Sequence, residues 1–165
     1  KLRKKYLDMG CGQFAILGQF FKKTNDSSDV TSVDIYEKFV ENSLNNSELN
    51  KTDIKIKKSN LFSNIDEKFD LISFNPPYVP SIQKKDESEF PDIRYSENEG
   101  LKTTYDFLIE SKDYLMTDGE ILLGINTFYV PQAHCNKLIL ETGYKVEKIT
   151  KMKFNTSIVF RLKAI

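Results

Sequence analysis

The run Phe69-Asp70-Leu71-Ile72-Ser73-Phe74 is nearly all apolar and is followed at once by Asn75-Pro76-Pro77-Tyr78. A strand with so little in–out alternation reads as a central parallel strand covered on both faces. Two consecutive prolines stop it, because each lacks a backbone donor for the sheet ladder. They also hold the preceding Asn75 in an extended conformation. The strand therefore ends in a stiff turn that offers one amide side chain, two carbonyls and one aromatic ring. That inventory suits gripping a flat group that bears an NH2. The same residue types also make ordinary strand-end turns.

Around this strand, extended and helical patterns alternate along the chain. Strands are expected at Tyr6 to Met9, Val30 to Ile35, Phe69 to Phe74 and Glu120 to Ile125. The strictly alternating Ile54-Lys55-Ile56-Lys57-Lys58 reads as an edge strand, its lysines discouraging further pairing. Helices are expected at Ala15 to Lys23, with Ile16, Leu17, Phe20 and Phe21 inward, and at Tyr36 to Asn46, with Phe39, Val40 and Leu44 inward. Two more are expected at Leu101 to Met116, on Tyr105, Leu108, Ile109 and Leu115, and at Pro131 to Thr142, closed by Gly143. Tyr144 to Met152 and Thr156 to Leu162 lie too close together for a crossover helix, so they form an antiparallel hairpin. The whole predicts a doubly wound, mostly parallel α/β sheet of seven strands with an antiparallel C-terminal hairpin. Residues 79–100 show no clear period and read as a substrate-side lid or a surface loop.

A chain of 165 residues is expected to form one domain, residues 1–165. Its formal net charge of zero argues against a free-standing nucleic-acid binder, which is usually basic. Basic clusters do occur at Lys1, Arg3, Lys4 and Lys5, and at Lys51, Lys55, Lys57 and Lys58. Acids gather at Asp86, Glu87, Glu89, Asp92, Glu97 and Glu99. Cys11 and Cys135 have neither metal spacing nor a disulfide framework, and no apolar run reaches membrane-span length. A soluble, cytoplasmic protein without a metal or membrane partner is expected.

In an open α/β sheet, ligands bind beyond the carboxyl ends of the strands near the point where strand order reverses. Asp8-Met9-Gly10-Cys11-Gly12 ends the first strand, and its glycines let the backbone approach a ligand closely. Phe14, two residues beyond Gly12, would crowd a pyrophosphate, which disfavours nicotinamide or flavin. Asp34 ends the second strand, where an acid can accept hydrogen bonds from both hydroxyls of a ribose or cap the following helix. Asn75 to Tyr78 ends the fourth. Together these features ask for a ribose-containing cofactor beside a planar amine.

With these motifs the sequence resembles the class I S-adenosylmethionine-dependent methyltransferases, and within them the Asn-Pro-Pro-Tyr branch that methylates exocyclic or amide nitrogens. Glu97-Asn98-Glu99-Gly100-Leu101 further resembles a helix-opening stretch of the HemK-type release-factor glutamine methyltransferases. The resemblance implies a Rossmann-like methyltransferase fold and S-adenosylmethionine as cofactor, with S-adenosylhomocysteine as product. It implies that Asp8, Gly10, Cys11 and Gly12 line the methionine portion. Asp34 would hold the ribose and Ile35 flank the adenine. Asn60 and Leu61 would lie at the adenine amino group, Asn60 replacing the usual aspartate. Asn75, Pro76, Pro77 and Tyr78 would be catalytic, with Asn75 also beside the cofactor.

The implied activity is N-methylation of a planar amide or amine, with a glutamine side chain of a translation release factor first. A nucleobase amine on adenine or guanine is the alternative, since both targets present the same flat NH2. A methyltransferase-like subunit without catalysis is a third reading, motivated by Phe14 and by a chain that begins at the first strand. The substrate is then a macromolecule, protein or nucleic acid. Short relatives often pair a small zinc-binding subunit along the strand-three edge, which the lysines at 55, 57 and 58 disfavour.

Overall fold

The computed structural model describes residues 4–81, 94–151, 153 and 155–165. The chain divides into two compact units, Lys1–Phe74 with Asp113–Gly119, and Asn75–Lys112 with Glu120–Ile165. By class it is the expected fold: a mostly parallel seven-stranded α/β sheet with antiparallel C-terminal strands.

The first unit contains β1 (Lys5–Met9), α1 (Ile16–Thr24), β2 (Asp29–Asp34), α2 (Glu37–Leu49), β3 (Lys55–Lys58) and β4 (Phe69–Phe74). Its strands run parallel in the order β3-β2-β1-β4, so the order reverses between β1 and β4. The register sets Met9 opposite both Val33 and Phe74, which brings the carboxyl ends of β1, β2 and β4 level. β4 matches the expected strand residue for residue. Leu7, Val33, Phe69 and Ile72 are fully or almost fully buried, as the central position of these strands requires. Phe62 is buried against Tyr114, their rings stacked at 4.5 Å.

α1 corrects the reading of its inward face. Ile16 is 66% and Phe20 65% exposed, and Leu17 is exposed as well. Gly18 and Gln19 turn inward instead. The cause is a polar anchor. The Gly18 N–H donates to Asp8 Oδ2 at 3.0 Å, and a β-carbon at Gly18 would lie 2.2 Å from Ser32 Oγ. The helix approaches the sheet at a position that only glycine can occupy, which fixes its rotation. α2 likewise buries Phe39 and Val40 but turns Ser43 and Ser47 inward, leaving Leu44 exposed.

The lysines of β3 are held by acids rather than left bare. Lys55 pairs with Glu67 at 3.7 Å, Lys57 with Asp66 at 3.8 Å, and Lys58 with Glu37 at 3.3 Å.

The second unit contains β5 (Val79–Pro80), β6 (Tyr95–Ser96), α3 (Glu97–Gly100) and α4 (Lys102–Ser111). β7 (Leu115–Asn126) continues into it from the first unit, and α5 (Gln132–Glu141), β8 (Tyr144–Lys151) and β9 (Ser157–Ala164) complete it. β9 pairs antiparallel with both β7 and β8, so the expected hairpin forms. Gly143, at φ 77°, supplies the stop after α5.

The helix expected through Met116 ends earlier. A 3₁₀ turn at Lys112–Tyr114 follows α4, and Leu115 already begins β7. α4 buries Thr104, Phe107, Leu108 and Ser111, whereas Tyr105 and Ile109 are exposed. The Ser111 and Tyr144 hydroxyls share a hydrogen bond of 2.7 Å in the interior, which anchors that face.

Within the expected long loop 79–100, β5 and β6 pair in parallel. Its acids Asp86, Glu87, Glu89 and Asp92 lie outside the described residues.

Candidate active site

In the first unit the segment after β1 takes left-handed backbone at Gly10 (φ 64°), Gly12 (φ 66°) and Ala15 (φ 45°). A β-carbon at Gly12 would meet nothing within 4 Å, so its α-carbon faces open space. The segment is nonetheless pinned at several points. The Cys11 N–H donates to the Val33 carbonyl at 2.9 Å, and the Ser43 hydroxyl donates to the Gly12 carbonyl at 2.9 Å. The side-chain amides of Gln19 and Asn46 both donate to the Phe14 carbonyl. The Phe14 ring itself is exposed. Burial, followed by the nearby Asp8 and Asp34 charges, pushes the Cys11 thiol up to about 12, so it remains a neutral thiol.

Asp34 joins this loop to the next. Its carboxylate accepts from the Gly12 N–H at 2.9 Å and from the Tyr36 N–H at 3.1 Å, and its carbonyl accepts from the Ser59 N–H at 2.9 Å. One side chain thus tethers the glycine loop and closes a turn onto Tyr36 just ahead of α2, whose own N-cap is Tyr36 without a side-chain cap, so the expected capping role is not what Asp34 performs. Each carboxylate oxygen keeps a second lone pair for a ligand hydroxyl. Burial raises its pKa, against the pull of these backbone donors.

Beside it Ile35 is partly exposed. Leu61 holds a left-handed backbone (φ 46°), fixed by the Ser59 hydroxyl on its carbonyl at 2.6 Å. The exposed Asn60 side-chain amide makes no hydrogen bond among the described residues and is available to a ligand. Two ribose-capable oxygens, an apolar side chain and a free amide around the end of β2 fit an adenosine group.

Asp8 behaves differently from the others. It is only 2% exposed, and its second oxygen accepts from the Ser73 hydroxyl at 3.3 Å. Burial raises its pKa to about 6, and the Asp34 charge adds to the rise, while the Gly18 N–H and the Ser73 hydroxyl pull the other way. The folded chain thus holds a proton that the unfolded chain, at its ordinary 3.8, has released. The associated stabilisation is full below the unfolded value and is lost as pH rises through the folded one. A two-unit gap corresponds to roughly 3 kcal/mol. Asp8→Asn removes the charge, its oxygen still able to accept from the Gly18 N–H while its NH2 donates to the Ser73 hydroxyl. Denaturant titrations at acidic and neutral pH are therefore expected to show a wild-type loss of about 2–3 kcal/mol that the variant lacks. Parallel pH profiles for the two proteins would sink this assignment.

In the second unit, Asn75 is the residue directly after Phe74 of β4 and its side chain is exposed. Pro76 is buried, and Pro77 and Tyr78 are half-buried. The Tyr78 ring lies 6.0 Å from Tyr129, which stands edge-on to the exposed Phe128 at 5.1 Å. Burial, and after it the Tyr129 neighbour, raise the Tyr78 hydroxyl. The Tyr78 carbonyl rests against Gly100, where a β-carbon would come within 2.2 Å of it. Gly100 (φ 86°) ends a left-handed run with Asn98 and Glu99, a conformation that leaves glycine at the point of closest approach. His134 is exposed on α5, and its Nδ1 lies 3.7 Å from Glu99.

Sequence reasoning missed Gly124 and Tyr129. A β-carbon at Gly124 would stand 3.1 Å from Asn75 Oδ1. A glycine inside an otherwise apolar strand was the available signal, since it marks the close approach of another group.

The chain belongs to the methyltransferase small domain family, whose model matches residues 1–153. It is 28% identical over 151 residues to a putative protein N5-glutamine methyltransferase of Methanocaldococcus jannaschii, covering 91% of this chain and 75% of that protein. It is 35% identical over 128 residues to a release factor glutamine methyltransferase of Streptococcus pneumoniae, covering 72% and 44%. It is 29% identical over 128 residues to a ribosomal RNA small subunit methyltransferase C of Haemophilus influenzae, covering 78% of this chain but 34% of that protein. The chain thus spans about a third of the length of the ribosomal RNA relatives. A methyltransferase structure from Pyrococcus furiosus superposes with a TM-score of 0.76 at 23% identity, covering 97% of this chain and 74% of that one, which shows a shared fold.

Proposed function

We propose that this chain is an S-adenosylmethionine-dependent N-methyltransferase of the Asn-Pro-Pro-Tyr branch. Its first target is the side-chain amide of a glutamine in a translation release factor. The observation that carries the reading is the exposed Asn75 amide, set at the end of a buried strand with its oxygen against Gly124. The names of the glutamine-methylating relatives support the target class.

S-adenosylmethionine, when bound, supplies an electrophilic methyl group and departs as S-adenosylhomocysteine. The residues proposed to hold it are Asp8, Gly10, Cys11, Gly12, Asp34, Ile35, Asn60, Leu61 and Asn75, with Asp8 acting through its grip on α1. An amide nitrogen is a poor nucleophile because its lone pair is delocalised. The Asn75 oxygen and the Pro76 carbonyl would accept hydrogen bonds from its two N–H groups and localise that pair. As the nitrogen attacks, positive charge grows on it, so these acceptors bind the transition state more strongly than the ground state. Tyr78 stacks on the planar group and fixes its approach. The methylated nitrogen is acidic and loses its proton without a strong base, so His134 has no part.

A nucleobase amine is the second reading. It draws on the ribosomal RNA relative and on the C-terminal hairpin, where Lys148, Lys151 and Lys153 make no ion pair among the described residues. A tritiated-methyl transfer assay on fractionated protein, RNA and DNA from the source cells separates the readings. Label in protein, on glutamine and released as methylamine by hot-acid hydrolysis, is expected. Label confined to RNA or DNA moves the target to a base. No calorimetric binding of S-adenosylmethionine at millimolar concentration would leave only a non-catalytic subunit.

A further inference from the structure

We infer that Gly124 is a positioning residue for methyl transfer, its missing side chain being the seat of the Asn75 amide. The inference rests on the reading above, in which Asn75 presents an acceptor oxygen to the substrate amine. Gly124 lies inside β7, paired with Val159 of β9 and flanked by the buried Leu123 and Ile125. A strand interior is a poor place for glycine, which loses more backbone freedom than any other residue and packs nothing. Backbone conformation does not demand it, because Gly124 is absent from the left-handed positions that include Gly10, Gly12, Gly100 and Gly143.

Its neighbour does demand it. The three heavy atoms nearest to a β-carbon at this position all belong to Asn75: Oδ1 at 3.1 Å, Cβ at 3.6 Å and Cγ at 3.7 Å. The amide lies along the bare backbone of β7. The Asn75 side chain makes no hydrogen bond among the described residues. The close approach to Gly124 is the constraint on its direction that the structure shows. A methyl group there would move the amide by a few tenths of an ångström. Strand pairing would survive, since the exposed side chain is free to yield. Catalysis would not, because hydrogen-bond acceptors aimed at a reacting nitrogen tolerate little misplacement.

The test is a double-mutant cycle of Gly124→Ala, Asn75→Ala and the pair. It is read by tritiated-methyl transfer to the cell fraction that the wild type labels, by calorimetric affinity for S-adenosylmethionine, and by the crystal structure of Gly124→Ala. Gly124→Ala is expected to keep cofactor affinity and to lose roughly 10–100-fold in kcat, with little change in KM. Its crystal structure is expected to show the Asn75 oxygen displaced. In the Asn75→Ala background the same substitution is expected to add less than about a twofold loss, because the contact is gone. A general packing role would instead give losses that multiply, and that outcome overturns the inference, as does full activity or an unmoved amide in Gly124→Ala. If Gly124→Ala does not fold, recovery in the double variant upholds the contact and failure of both overturns it. Full activity of Asn75→Ala would strike the parent reading, a result distinct from any of these.

Discussion

Replacing Asn75 by alanine is expected to lower methyl transfer by roughly 10²–10³-fold, the usual cost of losing one preorganised hydrogen bond to developing charge. The variant should fold normally, since the Asn75 side chain is exposed and makes no hydrogen bond among the described residues. Pro76, buried beside it, keeps the turn. Affinity for S-adenosylmethionine should change little, because Asn75 is one proposed contact among several and those for the ribose and adenine follow β2 and β3. Loss of an interaction made only in the transition state lowers kcat and kcat/KM together. Single-turnover transfer at saturating cofactor measures this directly. A variant that transfers at the wild-type rate removes the mechanism, and one that loses cofactor affinity instead reassigns Asn75 to binding.

The second large effect is expected at Asp34. Its carboxylate receives the Gly12 and Tyr36 N–H groups, and the lone pairs left over are the proposed ribose contacts. Alanine removes the ligand contact and leaves two backbone donors without their acceptor. Hydrogen bonds to a charged group contribute about 1.5–3 kcal/mol each, so the dissociation constant should rise at least 10–100-fold. The glycine loop should also loosen, lowering the melting temperature. Asp34→Asn separates the two effects, since an amide oxygen can still accept from one backbone donor but matches two ribose hydroxyls poorly. Calorimetric titration checks the prediction, and affinity unchanged in both variants would dismiss Asp34 from cofactor binding.

Much of this architecture could be read from residue pattern. β4 was legible because it is apolar throughout and its end is cut off by two prolines. The level carboxyl ends of β1, β2 and β4 follow from parallel pairing, which the alternation of strands and helices implies. Helix rotation was not legible. Periodicity counts apolar side chains, yet α1 is turned by a buried carboxylate on a glycine N–H, and α4 is anchored by a serine–tyrosine hydrogen bond. In α1 Gly18 and Gln19 win the inward face and Ile16, Leu17 and Phe20 are exposed, whereas in α4 Thr104 and Ser111 share it with Phe107 and Leu108 and leave Tyr105 and Ile109 exposed. The site shows the same division. Asp34 and Asn75 were singled out by residue type and position after a strand, and Asn60 by the family resemblance; all three remain proposals for the site. The seat at Gly124 was not, because it depends on a neighbour 49 positions away in sequence (124 minus 75).

The first unit is discontinuous: its last piece, Asp113–Gly119, returns after the 38 residues from Asn75 to Lys112 have intervened. Tyr114, in that piece, supplies the ring on which Phe62 stacks. A nascent chain emerging from the ribosome therefore cannot finish its first unit when β4 appears. Phe62 lacks the Tyr114 ring until residue 114 has cleared the tunnel, and β7 then carries the chain straight on into the second unit. Synthesis pausing before that point would leave the first unit short of its last piece, and incomplete units of this kind are where half-made chains stick to one another.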